Sequence, residues 1–463
     1  MMSSVFSSAN QQQRISGFTL IEAMVVLFIV SLITLTFYET WNLGMQHIAN
    51  AKYRLGASAL ANQQMEIIRS LIFDDIGTVS GIPTGTLAQD QTLNMNNTTY
   101  NVHTVVRFVD DATDGTLGAG TDIAPNDYKQ VTVTVSWGAA GDAETVEMTS
   151  IFSLDGVESV AAGTGILSVN VLNAAGIGVG NAIVRIRNTA LMPNIDVTAA
   201  TDVNGNIMFP GAPASVQEYH ITVSKAGYYG NMTHDPYPVS LFKPTNVHAS
   251  VVAGSLSAAT LVADRISSLE IQTEDPFGAD LPDVDFTVSG GLVIGVDAGT
   301  GEAVYDFSQA SVTDSGGEVN FSDRSSGAYT FTLDPSEVAQ YEFLRLNPEE
   351  SVQNMISLAA GDSKSVKYVL AEKNFPSALI TVTNAVDSTV LMGASVRLHS
   401  TALGFDVTLA TDTYGQAYFP VNSTPLASGT YDLDVSAAGF VSATDTITVI
   451  GANLEKKNIS LSP

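Results

Sequence analysis

One charged residue sits where a charge is expensive. Glu22 lies within R-I-S-G-F-T-L-I-E-A-M-V-V-L-F-I-V-S-L, Arg14 to Leu32, and is the only charge between Phe18 and Tyr38. A carboxylate in hydrocarbon costs several kcal/mol unless a partner compensates it. Either this run stays out of a membrane, or Glu22 has a partner worth that cost. A second concentration of oxygen donors is D-D-A-T-D-G-T-L-G-A-G-T-D, Asp110 to Asp122. Asp110, Asp111, Asp114 and Asp122 are calcium candidates by donor type. The stretch is not an EF-hand loop, because its third position is Ala112 and its twelfth Thr121, so it reads as a solvated hairpin loop.

The remaining reactive side chains form no catalytic set. His47, His103, His220, His234, His248 and His399 show no H-E-x-x-H or H-x-x-E spacing. His220, between Tyr219 and Ile221, is placed on the exposed face of a strand, and His234-Asp235 reads as a loop pair, so no metal is assigned to either. Asp314-Ser315-Gly316-Gly317 has the text of a protease nucleophile, but it is the turn of a repeat described below. Gly176-x-Gly178-x-Gly180 lacks the third phosphate-binding glycine and precedes a strand. The expectation is a protein that is not an enzyme and needs no cofactor.

Composition narrows the partners. With 19 Lys+Arg in 463 residues and a net charge of −28, the chain has no basic stripe with which to neutralise phosphates, which argues against nucleic acid. It has no cysteine, hence no disulfide, thiolate metal site or cysteine nucleophile. Its length allows several domains of roughly 100–150 residues each.

The elements that must position Glu22 begin with a helix. Residues 18–38 would span about 31 Å as a helix, close to the thickness of a bilayer core. Amphipathic spacing continues through Met45, Ile48, Leu55, Leu60, Ile67, Ile68, Leu71 and Ile72, with no proline before Pro83. A helix over 18–73 would be about 84 Å long. Gly44 and Gly56 are its weak points. A cleaved secretory signal lacks a small-x-small site close behind the apolar core. A plain anchor explains the length but not Glu22.

Gly17-Phe18-Thr19-Leu20-Ile21-Glu22, with a polar leader before it and the apolar run after it, resembles the prepilin-peptidase site of type IV pilins and type II secretion pseudopilins. The resemblance implies cleavage between Gly17 and Phe18, N-methylation of Phe18, and an assembly role for Glu22. In that family the glutamate neutralises the N-terminal amine of a neighbouring subunit. The chemistry is independently sensible. The amine freed at Phe18 lies one turn from Glu22 on the same face, and a carboxylate in the first turn also offsets the positive end of the helix dipole.

Beyond the helix, residues 74–162 alternate strands with turns. Tyr100–Phe108, Tyr128–Trp137 and Thr145–Leu154 read as strands, the last two joined as a hairpin. A hairpin after a long helix resembles the head of minor pilins and pseudopilins.

The final 300 residues repeat one pattern, T-D-x-x-G-x-x-x-F, at Thr201–Phe209, Thr313–Phe321 and Thr411–Phe419. An alternating strand precedes each copy, at Leu167–Val171, Leu269–Thr273 and Leu379–Thr383. Another follows each, at Tyr219–Val223, Tyr329–Leu333 and Tyr431–Val435. The aspartate is expected to cap the turn, the glycine to supply positive φ, and the phenylalanine to face the core. Each copy reads as an all-β sandwich, at 165–263, 266–372 and 377–463, and resembles the carboxypeptidase-regulatory-like, or transthyretin-like, family. Such modules serve as stalks or binding platforms. No copy carries the first-strand lysine that an isopeptide crosslink would need.

The expected fold class is α+β: a leader at 1–17, a long helix at 18–73 with 18–38 in the membrane or filament core, a small antiparallel β head, then three Ig-like or transthyretin-like sandwiches. By resemblance the chain is a minor type IV pilin or pilin-like subunit. Its expected partners are the prepilin peptidase, other pilin subunits with their assembly machinery, and a surface or carbohydrate ligand. It would be a single-pass precursor in the inner membrane and then part of an extracellular pilus. A type II secretion pseudopilin and a membrane-anchored surface binding protein that never polymerises are the alternatives.

Overall fold

The computed structural model describes residues 19–109, 127–138, 144–153, 162–348 and 354–463. Gly17, Phe18 and the four calcium candidates in the Asp-rich loop lie outside them. The chain divides into two compact units, one containing the N-terminal helix and the first sheet, the other everything from residue 162 onward. The architecture is α+β, as the sequence indicates.

In the first unit, α1 (Leu20–Arg69) is followed by β1 (Asp90–Met95), β2 (Thr98–Val109), β3 (Tyr128–Trp137) and β4 (Glu144–Ser153). The sheet is an antiparallel meander in chain order. β1 is a strand the sequence reading missed. Its alternation is polar, and what defines it is the two-residue turn Asn96-Asn97, both at positive φ (51° and 65°), the hairpin geometry that asparagine tolerates. β3 alternates strictly, burying Lys129, Val131, Val133, Val135 and Trp137.

The last third of α1 packs on this sheet through Ala57, Leu60, Ala61, Gln64, Met65 and Ile68. That stripe is turned from the one expected. Leu60 and Ile68 belong to it, Leu71 is partly buried, and Met45, Ile48, Leu55, Ile67 and Ile72 are exposed. Ala57 and Ala61 stand among the larger residues of this face, which lets the helix backbone approach closely. Gly56 serves the same approach and is no weak point. An added Cβ there would stand 2.4 Å from the Tyr100 hydroxyl, which donates to the Tyr53 carbonyl at 3.1 Å.

The second unit holds three sandwiches. The first comprises β5 (Thr164–Leu172), β6 (Ile183–Asn188), β7 (Ile195–Ala200), β8 (Asn206–Pro213), β9 (Ser215–Ser224), β10 (Asn231–Met232), β11 (Phe242–Pro244), β12 (Ala249–Val251) and β13 (Leu256–Val262). The second comprises β14 (Ser267–Glu274), β15 (Asp285–Asp297), β16 (Ala303–Val312), β17 (Glu318–Arg324), β18 (Gly327–Leu333), β19 (Tyr341–Asn347), β20 (Met355–Leu358) and β21 (Ser363–Glu372). The third comprises β22 (Ser377–Asn384), β23 (Ser395–Ser400), β24 (Phe405–Ala410), β25 (Gln416–Phe419), β26 (Gly429–Ser436), β27 (Ala443–Val449) and β28 (Leu454–Leu461).

All three share one topology. The first strand pairs in parallel with the last, β5 with β13, β14 with β21 and β22 with β28. It also pairs antiparallel with the strand that follows the T-D-x-x-G turn, β8, β17 or β25. The facing sheets are built around β6–β7–β9, β15–β16–β18 and β23–β24–β26.

The turn works identically in each copy. Asp202, Asp314 and Asp412 accept two backbone N–H groups each, at 2.8–3.0 Å, and Gly205, Gly317 and Gly415 sit at φ of 82°, 73° and 70°. The threonine before each aspartate is buried and bonds the backbone across the turn. Thr411 Oγ1, for example, accepts from the Ala394 N–H and donates to the Leu391 carbonyl. Phe321 and Phe419 are buried as expected, whereas Phe209 is only half-buried and Ile207 takes the core position in its copy.

Consecutive sandwiches are tied together. β11, from the first, pairs with β15 of the second, and Ser326 donates to Asp264 at 2.9 Å. Between second and third, Phe277 packs on Phe375 and Tyr418, and Leu344, Val369, Ala371 and Leu379 form a small shared core.

Candidate functional site

Among the described residues, two places carry chemistry. The first is the start of α1. Thr19 caps the helix, its Oγ1 accepting from the Glu22 N–H at 3.3 Å, and Glu22 is the acid of the first turn. Thr-x-x-Glu is a capping-box spacing, of which the Thr19 half is formed, and the Glu22 carboxylate lies in the first turn, where it offsets the positive end of the helix dipole. From Leu20 through Ile48 every large apolar side chain is exposed, Leu20 at 81 % and Phe28 at 66 %. Over this part α1 is long and apolar enough to cross a membrane. Such a surface needs lipid or other subunits to cover it.

Comparison with known families agrees with this geometry. The description "Prokaryotic N-terminal methylation motif" matches residues 12–38. The chain carries a prepilin-type methylation motif. No curated protein matches the chain. Among solved structures, the Bacillus anthracis TIE protein aligns at 14 % identity and a TM-score of 0.19, over 81 % of this chain and 74 % of that one. A streptococcal ancillary pilin aligns at 12 % and 0.19, over 64 % and 98 %. BcpA, the major pilin subunit of Bacillus cereus, aligns at 12 % and 0.16, over 64 % and 99 %. Superposition at such scores is poor.

The second place is on the first sandwich, where His220, Asp235 and His248 converge. Their potential ligand atoms all lie within 4.8 Å of one another. His220 is on β9, Asp235 follows β10, and His248 precedes β12. The loop between β10 and β12 is pinned by its backbone: the His234 N–H bonds the Asn246 carbonyl and the His248 N–H bonds the His234 carbonyl, both at 2.9 Å. The His220 and His248 rings overlap at 3.6 Å between centroids. His248 Nε2 lies 3.3 Å from Asp235 Oδ1, and Nδ1 lies 2.8 Å from Thr233 Oγ1. Burial and the neighbouring His220 hold the His248 imidazole below its usual pKa, although Asp235 works in the opposite direction.

The sequence reading kept these residues apart. It put His220 on an exposed face, whereas the ring is half-buried beneath His248, and it left His234-Asp235 as a loop pair. Three residues on three separate segments have no common spacing to recognise.

Other repeated contacts are visible only in the structure. Tyr219, Tyr329 and Tyr431, each at a strand position shared by the copies, donate their hydroxyls to upstream carbonyls of Pro213, Ser325 and Ala427 at 2.6–2.8 Å. Arg185–Asp196 and Arg397–Asp406 are matching two-pronged cross-strand pairs in copies one and three. A shallow groove of about 440 Å³ on the third sandwich includes His399, Asp434 and Asp445. Asp434 is already paired with Arg397 and His399, and Asp445 with Lys457.

Proposed function

We propose that the chain is a minor type IV pilin or pilin-like filament subunit that carries three sandwich modules outside the cell. The observation that carries this reading is the continuity of the methylation motif at 12–38 with α1. The same helix leaves its first half as uncovered apolar surface and packs its end on a β head. In this reading a prepilin peptidase cuts between Gly17 and Phe18, Phe18 is methylated, and residues 18–38 wait in the inner membrane. On assembly Glu22 neutralises the amine of a neighbouring subunit, since a desolvated carboxylate is tolerable only when paired. The domain divisions at 74–162, 165–263, 266–372 and 377–463 follow the same reading. The three modules, which crowd a densely packed filament, favour a low-abundance or tip position in which they act as adhesin or spacer.

The test is mass spectrometry of the mature N-terminus together with Glu22→Ala. Methylated Phe18 at the terminus is expected, and the variant should be processed and membrane-inserted yet missing from sheared surface filaments. Filaments that take up Glu22→Ala at normal levels would refute the role of Glu22. An uncleaved leader would favour a membrane-anchored binding protein, and processed protein confined to the periplasm a type II secretion pseudopilin.

A further inference from the structure

We propose that His220, Asp235 and His248 bind a divalent metal ion of the zinc class on the first sandwich. Thr233 Oγ1, which accepts from the Ile221 N–H at 3.0 Å, holds His248 Nδ1 at 2.8 Å. That contact turns His248 Nε2 towards a carboxylate oxygen of Asp235, 3.3 Å away, while the His220 ring lies against His248 at 3.6 Å between centroids. Two imidazoles and one carboxylate, from three separate segments, thus bring a potential ligand atom each to within 4.8 Å of one another.

Distance and donor type fit this assignment. Ligand bonds of about 2.0–2.1 Å place the donors of a tetrahedral zinc roughly 3.3 Å apart. The Asp235–His248 pair stands at that separation, and the whole set lies within 4.8 Å. Asp235 is exposed and His220 half-buried, so both side chains have room to close the remaining gap. Two imidazoles and one carboxylate select zinc and its neighbours over calcium or magnesium, which take oxygen shells. Thr233 supplies an outer hydrogen-bonding contact to His248 Nδ1 that holds the ring in orientation. Three protein ligands leave a fourth position open to water or an external donor.

The experiment uses the full chain in detergent, without a histidine tag, stripped by chelator and dialysed against zinc alone. One zinc per chain is expected, Co²⁺ should give the visible bands of a low-coordinate nitrogen and oxygen site, and excess Ca²⁺ should not displace it. His220→Ala and Asp235→Ala should each weaken zinc binding at least as much as the roughly 10–100-fold lost with an outer partner. Unchanged unfolding of the metal-free variants verifies that they fold. His399→Ala, on the third sandwich, should bind zinc as the parent does. Substoichiometric zinc in the parent, stoichiometric zinc retained by His220→Ala, or equal loss in His399→Ala would each overturn the assignment.

Discussion

Thr411→Val is the substitution that most directly tests why the repeated turn contains a threonine. Thr411 is 4 % exposed, and its hydroxyl accepts from the Ala394 N–H at 2.9 Å and donates to the Leu391 carbonyl. Valine keeps the shape and removes both bonds. An orphaned buried backbone group costs about 1–3 kcal/mol. Two such groups, less the small gain from an added buried methyl, give a net loss of about 2–4 kcal/mol. Thr411→Ser keeps both bonds and loses only a methyl, about 1 kcal/mol. The assay is hydrogen exchange by mass spectrometry on the full chain, following peptides across 390–420. At 1.4 kcal/mol per factor of ten, valine should accelerate exchange there by roughly 30-fold or more, and serine by less than about tenfold. Valine that exchanges no faster than serine would refute the hydrogen-bond account. The second copy supplies an internal control. There the Leu281 carbonyl also accepts from Thr273 at 2.5 Å, so Thr313→Val orphans only the Val284 N–H and should cost about half as much.

Two further predictions concern the β head. Gly56→Ala gains about 1 kcal/mol in helix propensity but drives a Cβ to 2.4 Å from the Tyr100 hydroxyl. Overpacking of about 1–3 kcal/mol should win, lowering the urea midpoint read from the fluorescence of buried Trp137. In a Tyr100→Phe background the penalty should shrink, and a stabilised single variant would disprove the close contact. Lys129 points into the core on β3, where burial lowers its pKa to about 8 while Asp74 and Asp75 oppose the shift. Its Nζ donates to the Phe73 carbonyl at 2.7 Å and lies over the Phe73 ring. The folded pKa is below the unfolded value of 10.5, so the cost of burying the ammonium is fully present below pH 8 and is relieved between about 8 and 10.5. That cost is at most about 3 kcal/mol. The stability difference between the parent and Lys129→Met should therefore move in favour of the parent as pH rises from 7.5 to about 10. A pH-independent difference would show that the lysine is not desolvated.

What the sequence made legible is what is local. The T-D-x-x-G text encodes its own turn, because the aspartate and glycine act within five residues of one another, and three copies made it visible. β3 was legible for the same reason, an unbroken alternation from Tyr128 to Trp137. The contacting face of α1 was not, since hydrophobicity marks large residues and the close approach is made by Ala57, Ala61 and Gly56. The partner of β11 was hidden because Phe242–Pro244 pairs with Gly295–Asp297 of the next sandwich, a choice that no local pattern states. The histidine cluster was hidden more deeply. Its members become neighbours only after the β10–β12 loop folds back on β9, and one of them, His248, resembles an ordinary buried polar residue in text.

The shared topology bears on how such modules resist tension along the chain without covalent staples. In each sandwich the chain enters on the first strand and leaves on the last, and these two strands lie side by side and parallel. The registers run from Leu256↔Ile166 to Val262↔Leu172, from Ser268↔Ser363 to Glu274↔Val369, and from Ser377↔Leu454 to Asn384↔Leu461. Tension that pulls the start of the first strand away from the end of the last slides them past each other, loading the whole ladder together. An antiparallel hairpin pulled from its open end would instead lose its bonds one pair at a time. Forced unfolding is governed by the unfolding barrier, not by equilibrium stability, so this arrangement raises resistance to tension applied through the two ends of each sandwich. It does so in a chain that has no cysteine and no first-strand lysine in any sandwich. The threonine turn reinforces the same strands, because β8, β17 and β25 pair with the other edge of each entering strand. A module weakened at Thr411 should accordingly lose mechanical resistance by more than its loss of equilibrium stability suggests, since the affected turn anchors β25 to the strand that bears the load.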